Sequence, residues 1–190
     1  MSRFARACLA CFLIAGLAAG CMGPEGDTQA EKRQAAQQMR VDTLDALYEV
    51  EPAAREVIGS AVGYATFSNI GIYLFLLSTG SGWGVVHDNG TGQDTYMKMY
   101  SAGVGPGLGV KDYRGVFVFT KKWALESFIE DGWEANAQVD AAAKVENNGG
   151  AWAGAFDVAP GIKLYQLVQS GLALQATIQG TKFWRDDDLS

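Results

Sequence analysis

Four glycines occupy every second position of the stretch AGVGPGLGV, at residues 103, 105, 107 and 109. A period of two is the period of a β-strand, in which alternate residues lie on opposite faces. The four glycines would therefore share one face of a strand, while larger residues line the other face. A strand face without side chains indicates that a neighbour packs very close to it or that the sheet bends sharply there.

The same stretch lacks the spacing of a nucleotide-binding loop. A P-loop needs glycine directly before its lysine and a hydroxyl directly after it, whereas Val110 precedes Lys111 and Asp112 follows it. A dinucleotide-binding turn opens into a helix, but here the strand-like sequence GVFVF follows. We therefore predict no nucleotide cofactor.

The first twenty residues have the features of an export signal. Arg3 and Arg6 precede an apolar segment that contains no acidic residue and is too short to span a bilayer. The sequence LAAGC, which ends at Cys21, resembles the bacterial lipobox and predicts a lipoprotein signal peptide over 1–20 with lipidation of Cys21. Ordinary signal cleavage with an incidental thiol is the alternative. Because Met22 and not aspartate follows the cysteine, the usual sorting pattern predicts the outer membrane, facing the periplasm.

The cysteines and charges describe the exported chain. Cys8 and Cys11 would leave with the signal, so Cys21 would be the one remaining cysteine and no internal disulfide is expected. The signal holds two arginines and no acidic residue. After its removal the chain would keep 13 of the 15 basic residues and all 21 acidic residues. This acidic balance disfavours nucleic acid as a partner. We predict a flexible tether over 21–30 and a single domain over 31–190.

Three helices are predicted from spacing and capping residues. Thr28 and Glu31 form a capping-box pattern ahead of a helix over 30–50. A second helix is expected to start at Pro52 and to end near Gly59 to Gly63. A third is expected over 121–131, with Thr120 as its N-cap and Gly132 at its C-terminal end.

The rest of the chain has strand and turn signals. The apolar runs and period-two patterns predict short strands joined by turns, in an antiparallel meander. The predicted strands cover 64–67, 70–77, 83–87, 95–100, 133–145, 152–158, 162–168 and 172–178. We therefore predict an α+β fold in which N-terminal helices precede a glycine-rich, strongly curved or barrel-like antiparallel sheet with one inserted helix.

Residues that could perform catalysis or bind a metal are few. His87 is the only histidine, and we interpret it as an exposed residue beside a turn. The acidic loop 88–94 lacks the late glutamate of a calcium-binding loop, and the acidic cluster 186–188 is typical of a solvated tail. With no visible set of nucleophile, acid and base, we predict no enzyme activity, no metal and no cofactor.

Basic residues are unevenly distributed. Four cations are candidate contacts for a lipid headgroup: Lys111, Arg114, Lys121 and Lys122. The alternative is scattered surface charge. Four tryptophans are expected to pack in the core, with anchoring at a membrane interface as the alternative: Trp123, Trp133, Trp152 and Trp184.

Several ordered segments together resemble the SYLF domain family, in its bacterial branch. They are GYATFSNIG, MYSAGVGPGLGVKDYRGVFVFTKKWALESFIEDGWEANAQVDAAAK and SGLALQATIQGTKFW. The resemblance covers about residues 53–188 and implies a lipid-binding domain of an envelope lipoprotein. Eukaryotic relatives bind phosphoinositides, and some bind actin filaments.

Two departures limit what the resemblance implies. Many relatives have a glycine-rich stretch where this chain has IYLFLL, and the first helix here mixes acidic with basic residues. Phosphoinositide specificity and actin binding are therefore not carried over. We expect a lipid-anchored protein of the bacterial envelope that binds a phospholipid or another membrane amphiphile without catalysis. The alternative is a structural or protein-interaction module of the envelope with no small-molecule ligand.

Overall fold

The computed structural model describes four parts of the chain. These are residues 23–135, 154–168, 171–172 and 180–190, with the backbone alone described at 69–78, 103–113, 135, 168 and 171–172. The signal peptide, Cys21, Trp152, most of the predicted strands 133–145 and 172–178, and the turn between 145 and 152 lie outside the described residues.

Two helices form the N-terminal part of the domain. Helix α1 covers Gln29–Val50 and begins with the predicted capping box, in which the Thr28 side chain accepts from the Glu31 amide and the Glu31 carboxylate accepts from the Thr28 amide. Helix α2 covers Ala54–Ser60. It begins two residues after Pro52, so the predicted start is early by half a turn. Within the described part of the chain, no helix has the length and apolar character needed to span a membrane.

Most of the sheet is one long hairpin. Strand β1 covers Gly63–Asp88 and strand β2 covers Asp94–Phe119, each with 26 residues. The prediction of four separate short strands here is wrong, because cross-strand pairing continues through the residues between the predicted strands. The pairing has one irregularity, between Phe75 and Leu77. The backbone over the four alternate glycines is a strand, as predicted.

The hairpin curls until its two ends touch. A Cβ atom added to Gly63 would lie 2.5 Å from the His87 carbonyl oxygen, and one added to Gly84 would overlap the Thr66 carbonyl oxygen. In the connecting turn, the Asn89 side chain donates a 2.8 Å hydrogen bond to the carbonyl oxygen of Ile58 in helix α2. These contacts confirm the predicted strong curvature, and glycine is what permits the close approach of the two backbones.

The remaining strands pair along the other edge of β2 and with one another. They are β3 Trp133–Ala135, β4 Phe156–Ala159, β5 Ile162–Val168, β6 Gly171–Leu172 and β7 Thr181–Arg185. The sheet order is β3-β7-β2-β5-β4, with β1 on β2 and β6 on β5, and every pairing is antiparallel. The predicted meander is thus confirmed only for β4, β5 and β6, since β7 and β5 both pair with the distant β2.

The inserted helix follows β2 directly. Helix α3 covers Lys122–Glu130, in agreement with the prediction, and Gly132 after it adopts a φ of 74° at the end of the helix. The predicted cap is wrong, because Lys121 occupies the N-cap position and makes no side-chain cap. The Thr120 hydroxyl instead donates to the carbonyl oxygen of Gly161, where β4 turns into β5.

The sheet separates two apolar cores. Along β2, Val116 and Val118 face one side while Phe117 and Phe119 face the other. The α1 face is covered by helices α1 and α2 and contains Leu47, Ala54, Ile58, Val116, Val118, Tyr165 and Leu167. The α3 face is covered by helix α3, and its buried residues include Phe67, Met99, Phe117, Phe119, Phe128, Leu164 and Phe183. The domain is therefore an α+β fold in which helices cover both faces of a strongly curved sheet.

Candidate functional site

An apolar cleft lies on the α3 face of the sheet. Its volume is only about 20 Å³, and its lining side chains are almost completely buried. Carbon atoms of strands β1, β2, β5 and β7 form its walls. The lining residues are Phe67, Met99, Gly115, Phe117, Leu164, Phe183 and the amide-bearing Gln166. Small-molecule binding sites usually have volumes of roughly 300–1,000 Å³, so the cleft is a gap in the packing of the core.

Aromatic rings hold the walls of the cleft in place. The Phe67 and Phe183 rings meet edge to face with centroids 4.9 Å apart, and Phe117 lies 5.2 Å from Phe183 in the same way. Phe128 of helix α3 and Trp133 support this group from behind, at 5.7 and 5.8 Å from Phe117. Edge-to-face contacts stabilise a ring pair by more than the burial of its surface alone, so these contacts hold the rings of the cleft walls in fixed positions. The predicted core packing of Trp133 is confirmed by these contacts.

Gly115 forms part of the cleft because it has no side chain. A Cβ atom at this position would lie 3.3 Å from Cδ1 of Leu164 and 3.6 Å from a ring carbon of Phe117. Opposite Gly115, strand β5 places Gln166 in the register. The space beside Leu164 and Phe117 therefore stays empty because residue 115 has no methyl group. Gly115 lies an even number of residues after Gly107 and Gly109, so the three glycines fall on the same face of a strand. This spacing is a sequence signal that could have identified Gly115.

The candidate headgroup cations do not converge on one place. Lys121 and Lys122 are exposed at the start of helix α3, and Lys122 lies 3.4 Å from Glu126. Arg114 pairs with Leu167, and therefore lies on the α1 face. Lys111 lies farther along β2, in register with Gly71. The strand between Arg114 and Phe119 spans roughly 16 Å at 3.3 Å per residue, so the four positions form no compact cluster.

Trp123 does not pack in the core, which corrects the prediction for this residue. It is 58% exposed and directly follows the two exposed lysines. An exposed indole beside two ammonium groups is a combination suited to the boundary between water and lipid. We name Lys121, Lys122 and Trp123 the helix α3 tip.

His87 is not an isolated exposed histidine, in contrast to its interpretation from the sequence. Its Nδ1 lies 2.6 Å from Oδ1 of Asp94, and the same oxygen accepts a 2.8 Å bond from Arg40 of helix α1. Gln37 donates to the second Asp94 oxygen at 2.9 Å. These residues, the Asp94 cluster, join helix α1 to the hairpin end. Burial raises the pKa of the neighbouring Tyr64, with Arg40 opposing and Asp94 reinforcing the shift.

The two acidic segments have structural partners. Burial alone would raise the pKa of Asp88, but hydrogen bonds from the Thr91 and Gly90 amides outweigh it and lower that pKa. Asp186 is buried and pairs with Lys98 at 2.8 Å, which raises the pKa of Lys98. The interpretation of 186–188 as a wholly solvated tail is therefore wrong for Asp186. Within the described ranges, no group of three or more potential metal ligands lies close together.

The cleft is lined by apolar side chains and by one amide, that of Gln166. None of its lining side chains ionises. The cleft, the helix α3 tip and the Asp94 cluster are separate features, and the sequence prediction identified residues of the tip alone. The cleft was missed because its walls come from four strands whose pairing is not visible in the sequence.

The domain is thus an α+β protein with a strongly curved antiparallel sheet and an apolar cleft. The chain is 35% identical over 170 residues to beta cell expansion factor A of Aeromonas veronii. The match covers 86% of this chain and 60% of that protein, so the chain spans less than two thirds of its relative. No family model matches the chain.

Proposed function

We propose that the chain is a SYLF-like envelope lipoprotein whose domain binds a lipid or another membrane amphiphile without catalysis. The observation that carries this proposal is the helix α3 tip, where the exposed Trp123 indole lies beside two exposed lysines. Burial of apolar surface from water is worth about 25 cal/mol per Å², so insertion of this indole at a lipid boundary would be favourable. The ordered SYLF-like motifs support the same class of ligand.

Membrane attachment is proposed to come from a lipid on Cys21. Six residues lie between Cys21 and Thr28, the N-cap of helix α1, so seven Cα-to-Cα steps connect the two positions. An extended chain reaches at most about 3.5 Å per residue, so the domain would stay within roughly 25 Å of the anchor. The site of action would then be the envelope, at the periplasmic side of the outer membrane.

Lipidation is tested by labelling cells with a palmitate analogue. Cys21→Ala should abolish labelling and release the protein into the soluble envelope fraction. Cys11→Ala is the matched control, because this cysteine lies within the predicted signal and should leave labelling unchanged. Labelling that persists in Cys21→Ala would contradict the anchor.

The helix α3 tip is the proposed point of contact with the membrane surface. Both lysines and the indole are exposed. Basic residues near an anionic surface contribute about 1 kcal/mol each, although the ion pair of Lys122 with Glu126 reduces its share. Arg114 and Lys111 stay candidate headgroup contacts by prediction alone, since each lies apart from the tip.

Liposome flotation tests the binding itself. A fragment of residues 22–190, without an acyl chain, is mixed with neutral vesicles and with vesicles containing anionic phospholipid. We expect association with both and stronger association with the anionic vesicles. Lys121→Gln with Lys122→Gln should remove that extra association, whereas Lys32→Gln on helix α1 is the control. Failure to float with any composition would overturn the proposal of lipid binding.

The second candidate function is an interaction module of the envelope. Among the described strands, β1 pairs with β2 alone, and an outer strand edge offers backbone groups to a further strand. This function predicts that crosslinking in cells captures a partner protein at β1. It also predicts that neutralising both lysines of the tip leaves membrane recruitment unchanged.

A further inference from the structure

We propose that the turn between β1 and β2, residues 89–93, lies on an anionic membrane surface together with the helix α3 tip, while the outer face of helix α1 points into water. We name residues 89–93 the hairpin turn. This inference rests on the proposed function, because it adds a second element to the contact made by the tip and fixes the orientation of the domain. Three observations carry it: the position of the turn beside the tip, the compensated charges next to the turn, and an acidic stripe on helix α1.

The hairpin turn lies beside the helix α3 tip. A Cβ atom added to Gly63 would lie 2.5 Å from the carbonyl oxygen of His87, just before the turn, and 2.9 Å from Cδ2 of Leu125 in helix α3. The Asn89 amide donates a 3.0 Å hydrogen bond to the carbonyl oxygen of Val62. The end of β1 therefore meets the beginning of helix α3 across Gly63, and the exposed surfaces of the turn and the tip are neighbours.

The charges next to the hairpin turn are compensated. Residues 89–93 are all exposed, and none of their side chains ionises. Before the turn, burial would raise the pKa of Asp88, but hydrogen bonds from the turn and the nearby charge of Lys122 lower it. After the turn, Asp94 forms a 2.8 Å ion pair with Arg40. The turn thus presents uncharged polar groups to a membrane, next to the two exposed lysines of the tip.

Helix α1 has an acidic stripe, and this helix covers the opposite face of the sheet from helix α3. Asp42, Asp45 and Glu49 are exposed and follow one another at spacings of three and four residues, so they share the outer face of the helix. Gln34 is exposed on the same face, two turns before Asp42. An anionic surface repels this stripe and attracts the lysines of the tip. The uneven charge therefore favours one orientation, in which the outer face of helix α1 is turned away from the lipid.

Two matched glutamines test this orientation. Gln93→Glu adds one negative charge to the hairpin turn, and Gln34→Glu adds the same charge to the outer face of helix α1. Both side chains are exposed, and the two variants have the same net charge. A single charge near an anionic surface changes affinity about fivefold, and the effect fades beyond a Debye length of about 10 Å. The two variants should therefore differ if only the turn lies on the membrane.

Flotation measures the difference with the chain from residue 22, which retains every described contact. On vesicles of phosphatidylcholine with phosphatidylglycerol, Gln93→Glu should weaken association about fivefold and Gln93→Lys should strengthen it by a similar factor. Gln34→Glu and Gln34→Lys should stay within about twofold of the wild type. On vesicles of phosphatidylcholine alone, all four variants should match the wild type, because the effect is electrostatic.

A spin label provides a second measurement that does not depend on affinity. The chain from residue 22 contains no cysteine, so Gln93→Cys and Gln34→Cys each create one labelling site. Anionic vesicles should protect the label at position 93 from collision with a water-soluble nickel chelate, and should leave the label at position 34 accessible. Circular dichroism checks that both labelled variants are folded.

The outcomes separate this inference from the proposed function. Equal effects of the Gln93 and Gln34 substitutions, or a label at position 93 that stays accessible on vesicles, overturn the inference. Flotation that depends on Lys121 and Lys122 would then still support the tip as the contact. A larger effect at position 34 than at position 93 also overturns the inference, because helix α1 would then face the membrane. Absence of flotation with any composition overturns the proposed function and this inference together.

Discussion

The two faces of the sheet are built from different side chains. On the α1 face, Val116 and Val118 pack with aliphatic residues of helices α1 and α2. On the α3 face, Phe117 and Phe119 belong to a group of aromatic rings, with the cleft beside them. Alternate residues of one strand therefore supply both cores. Large rigid rings leave a gap where a neighbouring glycine has no side chain, and this explains why the cleft lies on the aromatic face.

The helices on the two faces are also held differently. Helix α1 is joined to the hairpin end by the Asp94 cluster, and the Arg33 side chain donates a 2.7 Å hydrogen bond to the Leu189 carbonyl oxygen. Helix α3 buries Leu125 and Phe128 in the aromatic core, while its ion pair between Lys122 and Glu126 is exposed. Polar contacts thus add to burial on the α1 face, whereas ring packing dominates on the α3 face.

Truncation of one buried side chain from each face tests this difference most directly. Phe117→Ala should lower the free energy of unfolding by about 4 kcal/mol and Leu47→Ala by about 3 kcal/mol, because the phenyl ring is larger and contacts several other rings. Urea unfolding measures both. Val41→Ala, at a position 47% exposed on helix α1, is the control and should change little. A smaller loss for Phe117→Ala than for Leu47→Ala would contradict the comparison.

The two ends of the hairpin meet in a close backbone contact between Gly84 and Thr66. Gly84→Ala should lower the free energy of unfolding by about 3 kcal/mol, since the new methyl group meets the Thr66 carbonyl oxygen and the Phe67 ring. Thermal and urea unfolding measure the loss. Gly59→Ala is the control, because a Cβ atom there meets nothing within 4 Å. Equal stability of the two variants would show that the hairpin ends are not in tight contact.

Alkaline pH should weaken the α1 face. Burial, with a smaller contribution from Glu51, raises the pKa of Tyr165 to about 12, above about 10 in the unfolded chain. The stabilisation is complete below pH 10 and is lost as the pH rises towards 12, by up to about 1.4 kcal/mol per pH unit. Unfolding measured at pH 9 and 11 should show this slope. Tyr165→Phe should reduce it, and an unchanged slope in that variant would contradict the assignment.

The Asp94 cluster should make the smallest contribution, because its side chains are partly exposed. Asp94→Asn should lower the free energy of unfolding by about 1 kcal/mol, since Arg40 and His87 lose a charged acceptor. Hydrogen exchange should quicken in helix α1 and stay constant in helix α3. The control is Asp187→Asn, whose side chain is 92% exposed. Equal quickening in both helices would argue against a role specific to helix α1.

Local features of the structure could be predicted because neighbouring residues produce them. The capping box of helix α1 depends on Thr28 and Glu31 within one turn, and Gly132 ends helix α3 through its own backbone conformation. The cap at Thr120 was predicted by the same rule and is wrong, because a distant carbonyl at Gly161 accepts the hydrogen bond from that hydroxyl. A local pattern fails where a tertiary partner competes for the same group.

Features that join distant residues could not be predicted. Gln37 and Asp94 are 57 positions apart, and nothing near either residue indicates the other. The hairpin extends through small residues because its partner strand satisfies the backbone, which a search for strand boundaries cannot detect. The cleft depends on Gly115, Leu164 and Phe183 from three strands. Its position follows from their pairing order and from the curvature of the sheet.

By itself the sequence determined the α+β class, the strong curvature implied by alternate glycines, and the approximate positions of the three helices, with the capping box of helix α1 and the glycine that ends helix α3. These depend on periodicity and backbone preference within a few residues. Only the tertiary structure decided that β2 pairs with β1, β5 and β7, that the two ends of the hairpin meet at Gly63 and Gly84, and that the aromatic face has a small apolar cleft. The physical reason is that packing and hydrogen bonding between distant segments select among arrangements that are locally equivalent.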